Sequence, residues 1–513
     1  MNQQRRVRLR RLSKTGFAAA SLLGIATGVA VAQSRDVVDP TQSTLSAQGE
    51  NAAAQQMRTF KDNGTGTQPT PATIPGFETD PDPSGVMGTA QPAGATVTSQ
   101  NAFFANLGTN NRTCFTCHQP GDAWGVSAAS VQARFASSNG QDPIFRLVDG
   151  ATCPTDDVST PQAMQQAYQL VLSKGLIRIG LPMPANAQFS VTNVQDPYGC
   201  NTNPQTGLTS PTAGTVSVYR RPLPSTNLGF LSTIMWDGRE PSLSSQATDA
   251  TLTHAQANTA PTSDQLTQIV NFESGIFTAQ ESDNTAGVLH AQNATGGSTA
   301  LSLQLANFFI GVNDPFGGNP EGQPFDSNIF DLFKPWLGLN GNDAATQFKE
   351  SVARGEEVFN TEPINITGVA GINDVLNQPT FAGFCGTCHD TPNVGDHSVK
   401  APLEIGIADA GSKAPPAVDI SGLPVFTLQC NQGPLAGQTF QVTDPGRALI
   451  SGNCADIGKV KGPILRGLAA RAPYFHNGSA ATLTDVVNFY NQRFNIGFTA
   501  QQTQDLVNFL STL

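Results

Sequence analysis

Apolar residues recur with helical spacing over only a few stretches of the chain. Phe348, Val352, Gly355 and Phe359 share a face behind Asp343, a residue type that caps helix starts, and predict a helix over 343–360. Thr482 and Asp485 make a capping-box-like start for a helix over 482–493, which carries Tyr490. Leu506, Leu510 and Leu513 lie on one face of a third, over 499–512. Phe103, Phe104 and Leu107 mark a shorter helix-like segment. Between these stretches the periodicity fades. Residues 33–100, with Gln68-Pro69-Thr70-Pro71 and Asp80-Pro81-Asp82-Pro83-Ser84-Gly85, are low in complexity and read as an arm or linker without a core.

Composition explains the weak pattern. The 513 residues are 38% hydrophobic and 13% charged, with 50 Gly and 35 Pro. Ordinary chains run at ~45–50% apolar and ~25% charged. The chain is therefore loop-rich, and something besides an aliphatic core must organise it. Residues 1–32 read as a secretory signal peptide. Arg5, Arg6, Arg8, Arg10, Arg11 and Lys14 precede a short apolar stretch, and Ala30-Val31-Ala32 supplies the small-x-small cleavage pattern. The expected location is periplasmic or secreted. Its removal leaves 22 basic against 39 acidic residues, a balance of −17 where the whole chain has −11. Such a surface repels nucleic acid and steers basic partners, such as small cytochromes, towards it. No remaining apolar run is long enough for a clean transmembrane span.

The cysteines carry the chemistry. Cys114-Phe115-Thr116-Cys117-His118 and Cys385-Gly386-Thr387-Cys388-His389 repeat one pattern, C-x-x-C-H. This is the attachment motif of haem c: two thiols add to the vinyl groups and the next His reaches the iron. One such motif could be chance, zinc or redox chemistry; two in an exported chain point to two covalently bound haems c. Cys153, Cys200, Cys430 and Cys454 remain. Pairing 153–200 and 430–454 is the most local solution in an oxidising compartment, and two other connectivities stay open.

Further residues carry a resemblance. Met235-Trp236-Asp237-Gly238-Arg239-Glu240 is followed by Ser242-Leu243-Ser244-Ser245-Gln246-Ala247. Near the C-terminus come Lys461-Gly462-Pro463-Ile464-Leu465-Arg466-Gly467-Leu468, Arg471-Ala472-Pro473-Tyr474-Phe475-His476-Asn477-Gly478-Ser479 and Val486-Val487-Asn488-Phe489-Tyr490. With two C-x-x-C-H motifs in this order, the chain resembles the bacterial di-haem cytochrome c peroxidase family, which includes MauG. Residues 119–230 and 258–340 exceed that family's connections and map onto nothing in it.

The resemblance implies roles. The first haem, on His118, would meet peroxide, and the second, on His389, would handle electrons. Trp236 matches a tryptophan between the haems and would relay between them, or would simply be a core aromatic. Gln246 matches a distal-pocket glutamine of MauG-like members. Where peroxidases carry a proton-moving glutamate this chain has Gln256, and an amide cannot take and return a proton. His254, two residues earlier, would replace the base or ligate the first iron. Tyr490, fourteen residues after His476, takes the place of an axial Met. No Met follows Met235. A phenolate there would lower the second iron's potential relative to Met. His397 and His476 are the alternative ligands. Lys459, Lys461 and Arg466 are candidate partners for propionates. The family also binds calcium through carbonyls matching Arg471 and Pro473. The Arg471 guanidinium disfavours a cation there, which leaves calcium a candidate rather than an expected ion.

The expected fold is mainly α: a haem c domain over 101–342 and another over 343–513, with long irregular insertions. The expected function is a peroxidase-type di-haem oxidoreductase acting on hydrogen peroxide with a small redox protein or a protein substrate. The alternatives are a dioxygen-using enzyme resembling the di-haem rubber oxygenases and a plain di-haem electron carrier.

Overall fold

Capping side chains decide where the longer helices begin. In the computed structural model, which describes residues 70–201 and 215–513, Ser127 starts α1 (Ala128–Ser138), Ser242 starts α2 (Leu243–Thr253) and Thr262 starts α3 (Ser263–Gly275). Asp343 starts α4 (Ala344–Thr361), Thr482 starts α5 (Leu483–Phe494) and Thr499 starts α6 (Ala500–Ser511). In each, a side-chain oxygen accepts from the amide three residues on and so satisfies a donor the helix leaves open. The last three match the helices read from the sequence. The signal peptide lies outside the described residues.

Helices α4 and α6 form the C-terminal core. Val352 and Phe359 meet Leu506, Phe509 and Leu510, and Phe330, Phe333 and Trp336 close the cluster. Gly355 permits the crossing, because a Cβ there would collide with the Asp505 carbonyl and Phe509 Cβ. Beside it Asp505 takes hydrogen bonds from Ser351 Oγ and from Nε and Nη2 of Arg354. Gly355→Ala is expected to destabilise the protein by about 1–3 kcal/mol through overpacking, read as a lower midpoint in chemical denaturation. An unchanged midpoint would mean that the two helices do not cross this closely.

A mainly α chain is not confirmed: of the described residues 31% are helical, short 3-10 turns included, and 17% are strand. Strands β1 (Phe77–Asp82) and β2 (Gly85–Ala90) form a hairpin, and β3 (Ile177–Pro182), β4 (Phe189–Gln195), β5 (Thr215–Arg220), β6 (Phe277–Asp283), β7 (Gly287–Val288), β8 (Val425–Cys430) and β9 (Thr439–Val442) follow. The sheets run β1-β2-β6-β7, β3-β5 and β4-β8-β9, all antiparallel. Most of these strands lie in the insertions. Runs such as Ile177-Arg178-Ile179 and Val216-Ser217-Val218 alternate with period two, which suits a strand rather than a helix. Strand β4, from the first half of the chain, pairs with β8 from the second.

Residues 77–90, read as part of a coreless arm, are thus built into a sheet with 277–283. The Asp-Pro-Ser-Gly run supplies the turn: Asp82 Oδ1 accepts from the amides of Ser84 and Gly85. Met87 is buried. The local cysteine pairing also holds, as Cys153–Cys200 and Cys430–Cys454 are disulfides.

Arg220, at the end of β5, ties the halves together. Its Nη1 donates to Asp237 at 2.5 Å, while Nε and Nη2 donate to Asp444 at 2.6 and 2.9 Å. The strand thereby delivers Arg221 and the Trp236-Asp237 segment to the centre of the molecule.

Candidate functional site

Both C-x-x-C-H motifs fold by the same local device. The Thr before the second cysteine turns back: Thr116 Oγ1 accepts from the Thr113 amide at 3.0 Å, and Thr387 Oγ1 accepts from the Phe384 amide at 2.9 Å. One tight turn then carries both thiols and the histidine. The four cysteines are unpaired, and burial pushes Cys114, Cys385 and Cys388 up to about 12. His118 Nδ1 bonds the Trp124 carbonyl at 2.9 Å, and His389 Nδ1 bonds the Gly395 carbonyl at 3.0 Å. Each ring is thereby oriented by one nitrogen and left with Nε2. Burial holds both imidazoles down at about 4, which keeps them in the neutral form a metal ligand needs. Trp124 is itself pinned, since its Nε1 donates to Thr89 Oγ1 of β2 at 2.9 Å. The hairpin therefore supports the first histidine.

Each motif opens onto a large cavity. The first is lined by Cys114, Cys117, His118, Gln246, His254 and Trp236. The second is lined by Cys385, Cys388, His389, Tyr490, His476 and Trp236. Two thiols, a neutral oriented imidazole and a wide apolar wall are the donor set of haem c, and both cavities present it. Trp236 lines both. It is 8% exposed and donates its indole N–H to the Arg221 carbonyl at 2.8 Å.

Comparisons with known proteins agree with this chemistry. The family described as RoxA-like, cytochrome c-like matches residues 460–496. A cytochrome-c peroxidase of Denitromonas iodatirespirans is 41% identical over 78 residues, covering 14% of this chain and 21% of that protein. A cytochrome c551 peroxidase of Nitrosomonas europaea is 33% identical over 99 residues, covering 17% and 30%. The chain resembles the bacterial di-haem cytochrome c peroxidases. It spans less than a third of the length of either relative. A crystal structure described as a MauG-like protein associated with microbial copper homeostasis aligns over 58% of this chain and 76% of its own, at 16% identity and a TM-score of 0.28.

The residues that the resemblance singled out divide on inspection. Gln246 and His254 both line the first cavity, on or just beyond α2. Gln256 does not. The helix ends at Thr253, the chain turns at Gln256 with φ 55°, and its exposed side chain accepts from Asn110. Tyr490, on α5, faces the second cavity beside Cys385 and Cys388. Burial raises its phenol far above the ordinary value, so an anion there requires a cation next to it. His397 is turned elsewhere: it lines a separate small polar pocket and bonds Asp390 at 3.0 Å. His476 lines the second cavity, wholly buried, with neither ring nitrogen hydrogen-bonded among the described residues. Of the three basic candidates only Lys461 reaches a haem cavity, 6.0 Å from the Trp236 ring.

Two acids at the first cavity escaped the sequence. Asp149 Oδ2 bonds His254 Nδ1 at 2.5 Å, and its Oδ1 takes Arg112 Nη1 at 2.6 Å. Burial would raise this carboxyl, but Arg112 and His254 outweigh it and hold it at about 2. Glu273, on α3, is 3% exposed and burial pushes it up to about 8. An unfolded chain loses that proton near ~4.3, so stability is full below that pH and declines as pH rises through about 8. Glu273→Gln is expected to remove this decline between about pH 5 and 8, read from thermal midpoints. A parent whose midpoint is flat over that range would contradict it.

Proposed function

We propose that the chain is a periplasmic or secreted di-haem c oxidoreductase that meets hydrogen peroxide in the first cavity and exchanges electrons through the second. The observation that carries this reading is Trp236, a buried oxidisable ring in the wall of both cavities. Covalently held haem supplies the redox centre, with Cys114, Cys117 and His118 holding one group and Cys385, Cys388 and His389 the other.

The chain's own residues then do three things. His254, fixed through Nδ1 by Asp149, takes a proton from one peroxide oxygen at Nε2 and returns it to the other, which leaves as water. Gln246 orients the bound peroxide from the same wall. Trp236 passes electrons from the second cavity to the first. Over the whole reaction, peroxide, two electrons and two protons give two waters. The electrons come from a small redox protein, and the acidic surface favours a basic one. Tyr490 would hold the iron of the second haem together with His389; Tyr490→Phe should then shift that haem's spectrum and leave the first unchanged.

A second reading, an oxygenase resembling the di-haem rubber oxygenases, draws support from the apolar part of the first cavity, where Leu107, Ile177, Ile179, Leu223 and Leu228 stand. The deciding experiment adds stoichiometric hydrogen peroxide to the diferric holoprotein and follows optical and EPR spectra. A long-lived oxidised state supports MauG-like chemistry, and reactivity only after half-reduction supports an ordinary peroxidase. Trp236→Phe should slow electron exchange between the haems while both resting spectra persist. Consumption of dioxygen with an apolar polymer, and none of peroxide, would transfer the case to the oxygenase. Inertness to both, with two six-coordinate spectra, would leave an electron carrier.

A further inference from the structure

Arg221 is a buried cation with an unusual set of partners. It is 7% exposed, and it forms no ion pair within 4.0 Å among the described residues. Its guanidinium is instead surrounded by backbone oxygens. Nη2 donates to the carbonyls of Val126 at 2.5 Å and Arg471 at 2.7 Å, and Nη1 donates to that of Lys174 at 3.1 Å. Its backbone is engaged as well. The Arg221 amide donates to the His476 carbonyl at 2.7 Å, and its carbonyl accepts from Trp236 Nε1 at 2.8 Å. Four segments therefore converge on one residue, and among them are the stretch just after the first C-x-x-C-H, the Trp236 turn and the run from Arg471 to His476.

A ring of carbonyl oxygens around a positive charge is the arrangement in which proteins hold hard cations. One of these oxygens, that of Arg471, is the atom through which the resembled family was expected to bind calcium. Here it already accepts a charged hydrogen bond. The neighbouring Ala472 carbonyl accepts from the Ala128 amide. The Arg471 side chain is half-buried, with Nη2 on the Ile464 carbonyl at 2.7 Å. A divalent ion at this point would face two guanidinium groups and find one of its two expected carbonyls taken. The residues present do not fit calcium.

We infer that Arg221 is a built-in cation that stands where the resembled family places calcium, so that this chain joins its two cavities through a fixed guanidinium and needs no exchangeable ion. The Val126, Lys174 and Arg471 carbonyls act as its ligands. Because the charge is covalently part of the chain, the junction around Trp236 is insensitive to ambient calcium. The inference is independent of which oxidant enters the first cavity.

The test begins with the parent holoprotein. Samples dialysed against a calcium chelator and samples in millimolar calcium are compared for bound calcium by elemental analysis, for thermal midpoint and for resting haem spectrum. The expected result is no stoichiometric calcium and identical midpoints and spectra. One calcium per chain, or a midpoint that rises with calcium, would overturn the inference, and this arm needs no variant to fold. In the second arm Arg221→Ala should lower the midpoint, and millimolar guanidinium or calcium should restore part of the loss. An Arg221→Ala protein as stable as its parent would also overturn it.

Discussion

Truncating Arg220 to alanine is expected to destabilise the folded protein by about 3–5 kcal/mol, because it leaves buried Asp444 without its guanidinium and Asp237 with Arg239 alone, 3.0 Å away. The guanidinium side chain is 2% exposed, and the Asp237 and Asp444 side chains it binds are 0% and 1% exposed. Burial alone would lower the arginine and raise the two acids. The mutual attraction reverses both: Asp444 and then Asp237 lift Arg220 well above its ordinary value, and Arg220 holds both carboxyls below theirs. Carboxyls depressed in the folded state stabilise it above their unfolded pKa, and that contribution is lost as pH falls through the folded values. Arg220→Ala should therefore lower the denaturation midpoint most at neutral pH, with a smaller difference from the parent in acid. Removing the Arg220–Asp444 pair together, as Arg220→Met with Asp444→Asn, which leaves Asp237 paired with Arg239, should cost less than Arg220→Ala alone. Equal midpoints for Arg220→Ala and the parent at pH 7 would contradict the assignment.

The second large effect concerns the first cavity. If His254 moves the peroxide proton, His254→Ala should slow the peroxide-induced spectral change by about 10²–10⁴-fold, the usual contribution of a positioned acid–base group. Asp149→Asn should slow it as well, because an amide cannot hold the imidazole as the carboxylate does. The pH dependence separates their roles. Asp149 is held at about 2, so it is anionic at every practical pH and cannot set an acid limb near neutrality. Asp149→Asn should therefore lower the rate without changing the shape of the parent's pH–rate profile. Parental rates and an unchanged first-haem spectrum in His254→Ala would remove His254 from the site as both base and ligand.

What could be read from the sequence was the chemistry fixed by short spacing. The haem motifs, the capping residues Asp343, Thr482 and Thr499 and the helix carrying Tyr490 are all local, and the local pattern decides them. His254 also falls in the first cavity, as its place just after α2 required. Its partner Asp149 lies 105 residues earlier, and only the tertiary fold brings the two together. Glu273 lies in 258–340, where the pattern singled out no residue, and nothing in its neighbours says that it turns inward. Gln256 was misplaced for the opposite reason. A fixed offset from Trp236 carries over only while the backbone keeps the same path, and here the helix stops at Thr253. The strands of the insertions were missed because haem motifs invite a helical reading, whereas runs such as Thr215-Val216-Ser217-Val218 carry the period of a sheet.

The pairing of β4 with β8 has a consequence for the order of assembly. Thr192 and Thr427, bonded across that sheet, are 235 residues apart. Contacts of such separation form late, since the intervening chain must give up its freedom first. Synthesis from the N-terminus leaves β4 as an open edge until β8 has been made, so this sheet is among the last parts of the fold to close.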